Sequence, residues 1–178
     1  MWIVALIVIV VIIGVVVKKF ADKAEQEKLE QEKIERKKRA AAEAASKRQK
    51  YEKITESERE QLKKCGDEVL NAALNAFNAS IKGDATAMTL LGYTYRLHLK
   101  DSVKSAYWIE KAANAGNLDA KYWLGKYYMH GYGVTENRVK GTSIIIAAAQ
   151  KGNKLAIECL SEDFNMSKAE MRSNGISV

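Results

Sequence analysis

The chain has 178 residues, carries 29 Lys+Arg against 22 Asp+Glu for a formal charge of +7, and contains no proline. A proline-free sequence argues against a turn-rich β sandwich or barrel. Cys65 and Cys159, 94 positions apart, exclude a disulfide framework and a Cys-based zinc site, and His98 and His130 leave little for metal or general-base chemistry. The composition points to a mostly helical protein with no cofactor and no metal.

Residues 1–17, MWIVALIVIVVIIGVVV, hold no charged side chain. As a helix this run is about 25 Å long, and Phe20 and Ala21 extend it toward a ~30 Å hydrocarbon core if Lys18 and Lys19 snorkel. Its β-branched residues suit a strand in water, but a lone strand in lipid leaves its backbone groups unsatisfied, so a helical anchor over 1–21 is expected. A cleaved signal peptide needs Lys or Arg before the apolar run and small residues at a cleavage site, and neither is present. Lys18, Lys19 and Lys23 follow the run, so the positive-inside rule places the rest of the chain in the cytoplasm, on a single-pass protein of the inner membrane with its N-terminus outside.

Residues 18–64 hold 27 charged side chains, which supply +5 of the net charge, and no glycine or proline interrupts Lys18 to Cys65. Pairs such as Glu32–Arg36, Glu35–Arg39 and Glu43–Lys47 support a solvated helical spacer over 22–56. Leu29, Ile34, Tyr51, Ile54 and Leu62 do not keep a heptad register, so no stable coiled coil is expected. The basic patch Arg36–Arg39 is diluted by flanking acids and lacks interleaved aromatics. With the remaining domain nearly neutral, nucleic acid is not an expected partner.

An internal repeat begins at residue 83. Gly83-Asp84-Ala85-Thr86-Ala87, Gly116-Asn117-Leu118-Asp119-Ala120 and Gly152-Asn153-Lys154-Leu155-Ala156 start alike, at spacings of 33 and 36. Leu91-Gly92 and Leu124-Gly125 follow, then Tyr95 and Tyr128. Each copy reads as two helices, about Ala85–His98 with Val103–Ala115, and Leu118–His130 with Val139–Lys151. A glycine stop closes each second helix. Gly92, Gly125, Ala112, Ala113, Ala148 and Ala149 let helices approach, while Leu91, Tyr95, Trp108, Trp123, Leu124 and Tyr128 fill the gaps. The pattern is a short α-solenoid of stacked hairpins. A capping helix is expected over 57–82, opened by a Ser57-x-x-Glu60 box, with Gly66 as the point where it bends or splits. At the other end, a Ser167-Lys168-Ala169-Glu170 box starts a short helix, and a frayed tail follows Asn174-Gly175 within 167–178.

These residues resemble the Sel1-like repeat, a relative of the tetratricopeptide repeat. The second copy supplies Ala120, Leu124, Gly125, Tyr128, Gly131, Gly133, Val134, Lys140, Ala148, Ala149, Gly152 and Asn153 of the family pattern; the first supplies Ala87, Leu91, Gly92, Tyr95, Lys104, Trp108, Ala112, Ala113, Gly116 and Asn117. Copy one departs at the Gly-x-Gly turn, both depart at Ser105 and Gly141, and copy two carries Ile144 in place of the aromatic. The resemblance implies an all-α fold of Sel1-like hairpins over 83–166. It implies a concave face of Thr89, Tyr93 and Arg96 from copy one, Tyr122, Lys126, Met129 and His130 from copy two, and Glu158 and Glu162 from a partial third. It further implies a membrane-anchored adaptor that binds a protein partner, as a peptide or helix, in that groove, with no small-molecule substrate. The alternative is an immunity or inhibitor protein blocking a toxin or enzyme in the envelope. No nucleophile–base set can be assembled from spacing, and the repeated cysteine pairs of enzyme-like relatives are missing, so a non-enzyme is expected. Cys159, in register with Trp123 and Leu90, reads as a buried small hydrophobe.

Overall fold

The computed structural model describes residues 2–178, of which 3–17, 21, 44 and 47–49 are described by their backbone alone. Among the described residues every regular element is a helix: α1 (Trp2–Tyr51), α2 (Glu56–Lys64), α3 (Asp67–Ile81), α4 (Ala85–Leu97), α5 (Ser102–Asn114), α6 (Leu118–His130), α7 (Arg138–Ala149), α8 (Lys154–Glu162) and α9 (Lys168–Ser173). One compact unit ends at Glu52 and the second runs from Lys53 to Val178.

The first unit is α1, 50 residues without a break, or about 75 Å at helical rise. Strong helix formers and the absence of glycine beyond Gly14 explain its continuity. The expected Glu35–Arg39 pair forms at 3.3 Å, and Lys23–Glu27 forms at 3.7 Å. Such exposed pairs contribute about 0.3–0.5 kcal/mol each, so α1 rests on propensity more than on its ion pairs. Among the described residues no helix is long and apolar enough to cross a membrane. The expected anchor over 1–21 falls, apart from Trp2, Lys18, Lys19 and Phe20, on side chains outside the description.

The second unit packs its helices chiefly against their neighbours in chain order. Three of its junctions share one construction. Gly83, Gly116 and Gly152 adopt φ of 95°, 96° and 83°. The next amide donates to the carbonyl five positions back, Asp84 to Ala79 O, Asn117 to Ala112 O and Asn153 to Ala148 O, at 3.0–3.2 Å. That same residue then caps the following helix: Asp84 accepts from Ala87 N, Asn117 from Ala120 N and Asn153 from Ala156 N. A helix stop and a helix start are thereby compressed into two residues.

Within each hairpin the helices run antiparallel, because contacts advance on one while receding on the other. A Cβ on Gly125 would lie 2.6 Å from Ile145 Cγ1, and one on Gly141 would lie 2.6 Å from Met129 Cγ. Copy one repeats the crossing: the Gly92 position faces Ile109 at 2.6 Å, and Ser105 Oγ donates to Gly92 O at 2.8 Å. Lys104 Nζ stands 5.3 Å from the Tyr95 ring centre, and its counterpart Lys140 stands 3.8 Å from Tyr128. Leu91, Tyr95, Trp108, Ile109 and Leu124 anchor one apolar core, and Ile145, Leu160, Met171 and Ile176 anchor a second.

Two expectations are corrected, and of the two outcomes open at Gly66 the chain takes the split. The capping segment over 57–82 is two helices, because Gly66 takes φ 121°, a conformation that L side chains rarely adopt, and turns the chain between α2 and α3. Its capping box is Thr55 with Glu58 rather than Ser57 with Glu60: Thr55 Oγ1 accepts from Glu58 N while Glu58 Oε2 accepts from Thr55 N. The tail does not fray after Asn174-Gly175. Gly175 at φ 72° turns it back, Ile176 N bonds Met171 O at 3.0 Å, and Ile176 is 1% exposed in the second core. The Ser167–Glu170 box forms as expected.

Candidate functional site

A spacing of 33 residues puts Leu90 in register with Trp123 and Tyr93 with Lys126. An open groove of about 620 Å³ lies between α3, α4 and the start of α6. Ala72, Ala76 and Ala79 of α3 contribute small side chains to it, Thr86, Leu90 and Tyr93 of α4 line it further, and Asn117 and Asp119 border it where α6 starts. Leu90 remains 46% exposed, an apolar surface with no neighbour to cover it fully.

Beside the groove an aromatic run crosses from α4 to α6. Tyr93 meets Trp123 edge-on at 6.0 Å, and Trp123 meets Tyr122 at 5.3 Å. The Arg96 guanidinium sits 4.7 Å from the Trp123 ring centre and 5.9 Å from that of Tyr132. Stacked between two π faces, Arg96 gives up conformational freedom and holds Trp123 half-exposed. Burial, reinforced by the negative charge of Asp119, pushes the Tyr93 hydroxyl up to about 12. Tyr93 therefore keeps its proton and can donate at any physiological pH.

Farther along, Lys126 Nζ binds Asp163 Oδ2 at 2.8 Å, and the Cys159 thiol donates to the same oxygen at 3.4 Å. The Asp163 carboxyl is held below its usual range, first by the hydrogen bond from Lys126 and next by that from Cys159. The same contact raises Lys126. Burial and the Asp163 carboxylate push the Cys159 thiol up to about 11. Near pH 8 roughly one such thiol in a thousand is thiolate, the reverse of an activated nucleophile. Cys65 is exposed. A thiol-reactive maleimide will accordingly label Cys65 in the native protein and Cys159 only on unfolding, as read by peptide mass mapping; equal native rates would contradict the buried placement of Cys159.

The residues expected to line the concave face divide into groups. Thr89 and Tyr93 line the groove. Thr89 offers surface alone, since it is 6% exposed and its hydroxyl donates to Ala85 O. Arg96, Tyr122 and Lys126 lie beside the groove in the aromatic and ionic contacts above. His130, Glu158 and Glu162 are exposed at the end of α6 and on α8. Met129, partly buried, packs against the second core beside Gly141, where a missing side chain leaves it room. Trp123, Asp119, Leu90 and the alanines of α3 were not anticipated as site residues. Trp123 packs against the first core, as expected of a residue that fills the gap between helices, and also carries the Tyr93 and Arg96 contacts beside the groove.

Among the described residues no group of three His, Cys, Asp or Glu side chains could hold a metal ion. No protein-family model matches the chain.

Proposed function

We propose that the chain is a membrane-anchored, non-enzymatic adaptor whose Sel1-like hairpins hold a peptide or helix of a partner protein in the groove beside Tyr93. Support for a solenoid reading comes from the recurrence of one stop-and-cap junction at 83–84, 116–117 and 152–153, and of one Gly–Ile crossing in each hairpin. In this reading α2 and α3 act as the leading edge of the stack, and α9 with Ile176 closes the other end.

The observation that carries the binding role is the groove itself. An apolar channel edged by an aromatic hydroxyl and carboxylates suits a segment whose small side chains enter the alanine floor. Trp123 and Tyr122, half-exposed next to it, have the area and rigidity of interface anchors. The apolar residues 1–21 would hold the protein in the inner membrane, Lys18 and Lys19 marking the cytoplasmic side. Tethering would then confine the groove near membrane-bound partners and raise its effective concentration.

The test is a photo-crosslinking amino acid placed in the full chain at position 93 and, as a control, at Glu110, exposed on α5. A discrete crosslinked protein from position 93, absent from position 110, is expected in cells. No product at 93, or the same products at both positions, would overturn the groove. A topology reporter at the C-terminus should be active in the cytoplasm; periplasmic activity would overturn that placement and favour inhibition of an envelope enzyme.

A further inference from the structure

We infer that the groove selects a basic segment, a partner peptide presenting a Lys or Arg among small apolar side chains, with its cation seated against Asp119 and Tyr93. This deepens the groove reading above and rests on it. The groove lining includes two carboxylates, Asp84 and Asp119, and no Lys, Arg or His. Among the described residues neither carboxylate takes part in an ion pair. Asp84 Oδ1 accepts from Thr86 N and Ala87 N, and Asp119 Oδ1 accepts from Asn153 Nδ2 at 2.6 Å. These donors are neutral, and the helix N-termini at which Asp84 and Asp119 stand offset only part of the two negative charges.

Lys154 lines an adjoining pocket with Asp119 but forms no ion pair with it among the described residues, and the cations near Tyr93 are engaged elsewhere. Arg96 is stacked on Trp123 and Tyr132, and Lys126 is bound to Asp163. Asp119 also makes its field felt at the Tyr93 hydroxyl. A carboxylate beside an aromatic ring in a partly desolvated groove favours a cation through both charge and ring quadrupole. The floor of Ala72, Ala76 and Ala79 admits close approach of a backbone carrying small side chains but has no room-filling partner for bulky ones. Together they specify a cation flanked by Ala, Gly or Ser.

The experiment selects short random peptides displayed on phage against the full chain in detergent micelles, in parallel with the Asp84→Asn/Asp119→Asn variant. Both replacements keep the fold: asparagine caps a helix as well as aspartate does, and its amide oxygen still accepts from Asn153. Selection on the parent is expected to enrich Lys or Arg among small residues, and the variant should bind an enriched peptide about fivefold to tenfold more weakly. Rising salt should weaken the parent's binding and leave the variant's nearly unchanged. Enrichment of acidic sequences, of apolar ones without a cation, or of none at all would overturn the inference, as would equal affinity of parent and variant. Crosslinking at position 93 reports separately. A product that survives unchanged in the variant would defeat the charge rule while leaving the groove reading intact.

Discussion

Gly141→Ala is expected to destabilise the second unit by about 2 kcal/mol, although alanine is the better helix former. The added Cβ would lie 2.7 Å from Gly125 O, 2.9 Å from Met129 N and 2.6 Å from Met129 Cγ. Two of those obstacles are backbone atoms of α6, so no rotamer change relieves them and α7 must move outward. Overpacking of this kind costs about 3 kcal/mol, and the intrinsic helical gain of Gly→Ala offsets about 1. A fall in Tm of roughly 6–12 °C follows for a unit of this size. Gly125→Ala meets the same wall from the other side, its Cβ 2.9 Å from Gly141 O and 2.6 Å from Ile145 Cγ1. Once one methyl has parted the helices, the second occupies opened space, so the double variant should lose less than the sum of the singles. Gly92→Ala is the milder case, because its close contacts below 3 Å are to the Ile109 side chain alone. Thermal denaturation of the four proteins checks the series; a neutral or stabilising Gly141→Ala would rule out the tight α6–α7 crossing.

The helices from residue 83 onward were legible because their boundaries are written locally. Gly-Asp and Gly-Asn carry both the left-handed stop of one helix and the cap of the next, and they recur at nearly constant spacing, so these junctions do not depend on distant contacts. The N-terminal edge was less legible for the opposite reason. Thr55-x-x-Glu58 and Ser57-x-x-Glu60 overlap as capping boxes. The choice between them is tied to Lys104, 46 positions away, which uses the second oxygen of Glu58. Gly66, without a proline nearby, does not distinguish a bend from a full break. Ile176 was hidden similarly: a short apolar tail reads as fraying until Met171 and the second core provide something to cover.

The site was readable in register but not in depth. A spacing of 33 puts Tyr93 in register with Lys126 and Leu90 with Trp123. It cannot say that Gly141 opens a slot that draws Met129 inward, or that Thr89 spends its hydroxyl on its own helix. The groove floor was out of reach too, because α3 contributes it from outside the recognised repeats.

The largest loss is expected at Glu58, whose one carboxylate performs two tasks. Oε2 accepts from Thr55 N at 2.7 Å and from Thr55 Oγ1 at 2.9 Å, closing the capping box of α2. Oε1 binds Lys104 Nζ at 2.6 Å, with only 13% and 10% of the two side chains exposed. Apart from Leu62, which is fully buried, α2 has little apolar surface to hold it, and α3 is its main packing neighbour. Glu58→Ala removes the cap, at about 1 kcal/mol, and leaves the Lys104 ammonium unpaired in a largely desolvated site. Breaking a buried pair from one side costs about 3–5 kcal/mol, and the Tyr95 ring beside Lys104 recovers part of that, so a net loss of about 3–4 kcal/mol is expected. Lys104→Met on its own should be costly for the reciprocal reason, while Glu58→Gln/Lys104→Met removes both charges, keeps an amide oxygen for Thr55 and should regain about half of the loss. Urea unfolding reads the totals and native-state amide exchange reads their location. Exchange should quicken first in α2 and the start of α5, with α6 to α8 still protected, because the tie joins the edge of the stack to its interior. A Glu58→Ala protein as stable as the parent, or a double variant worse than either single, would show that the ion pair is not what seats α2.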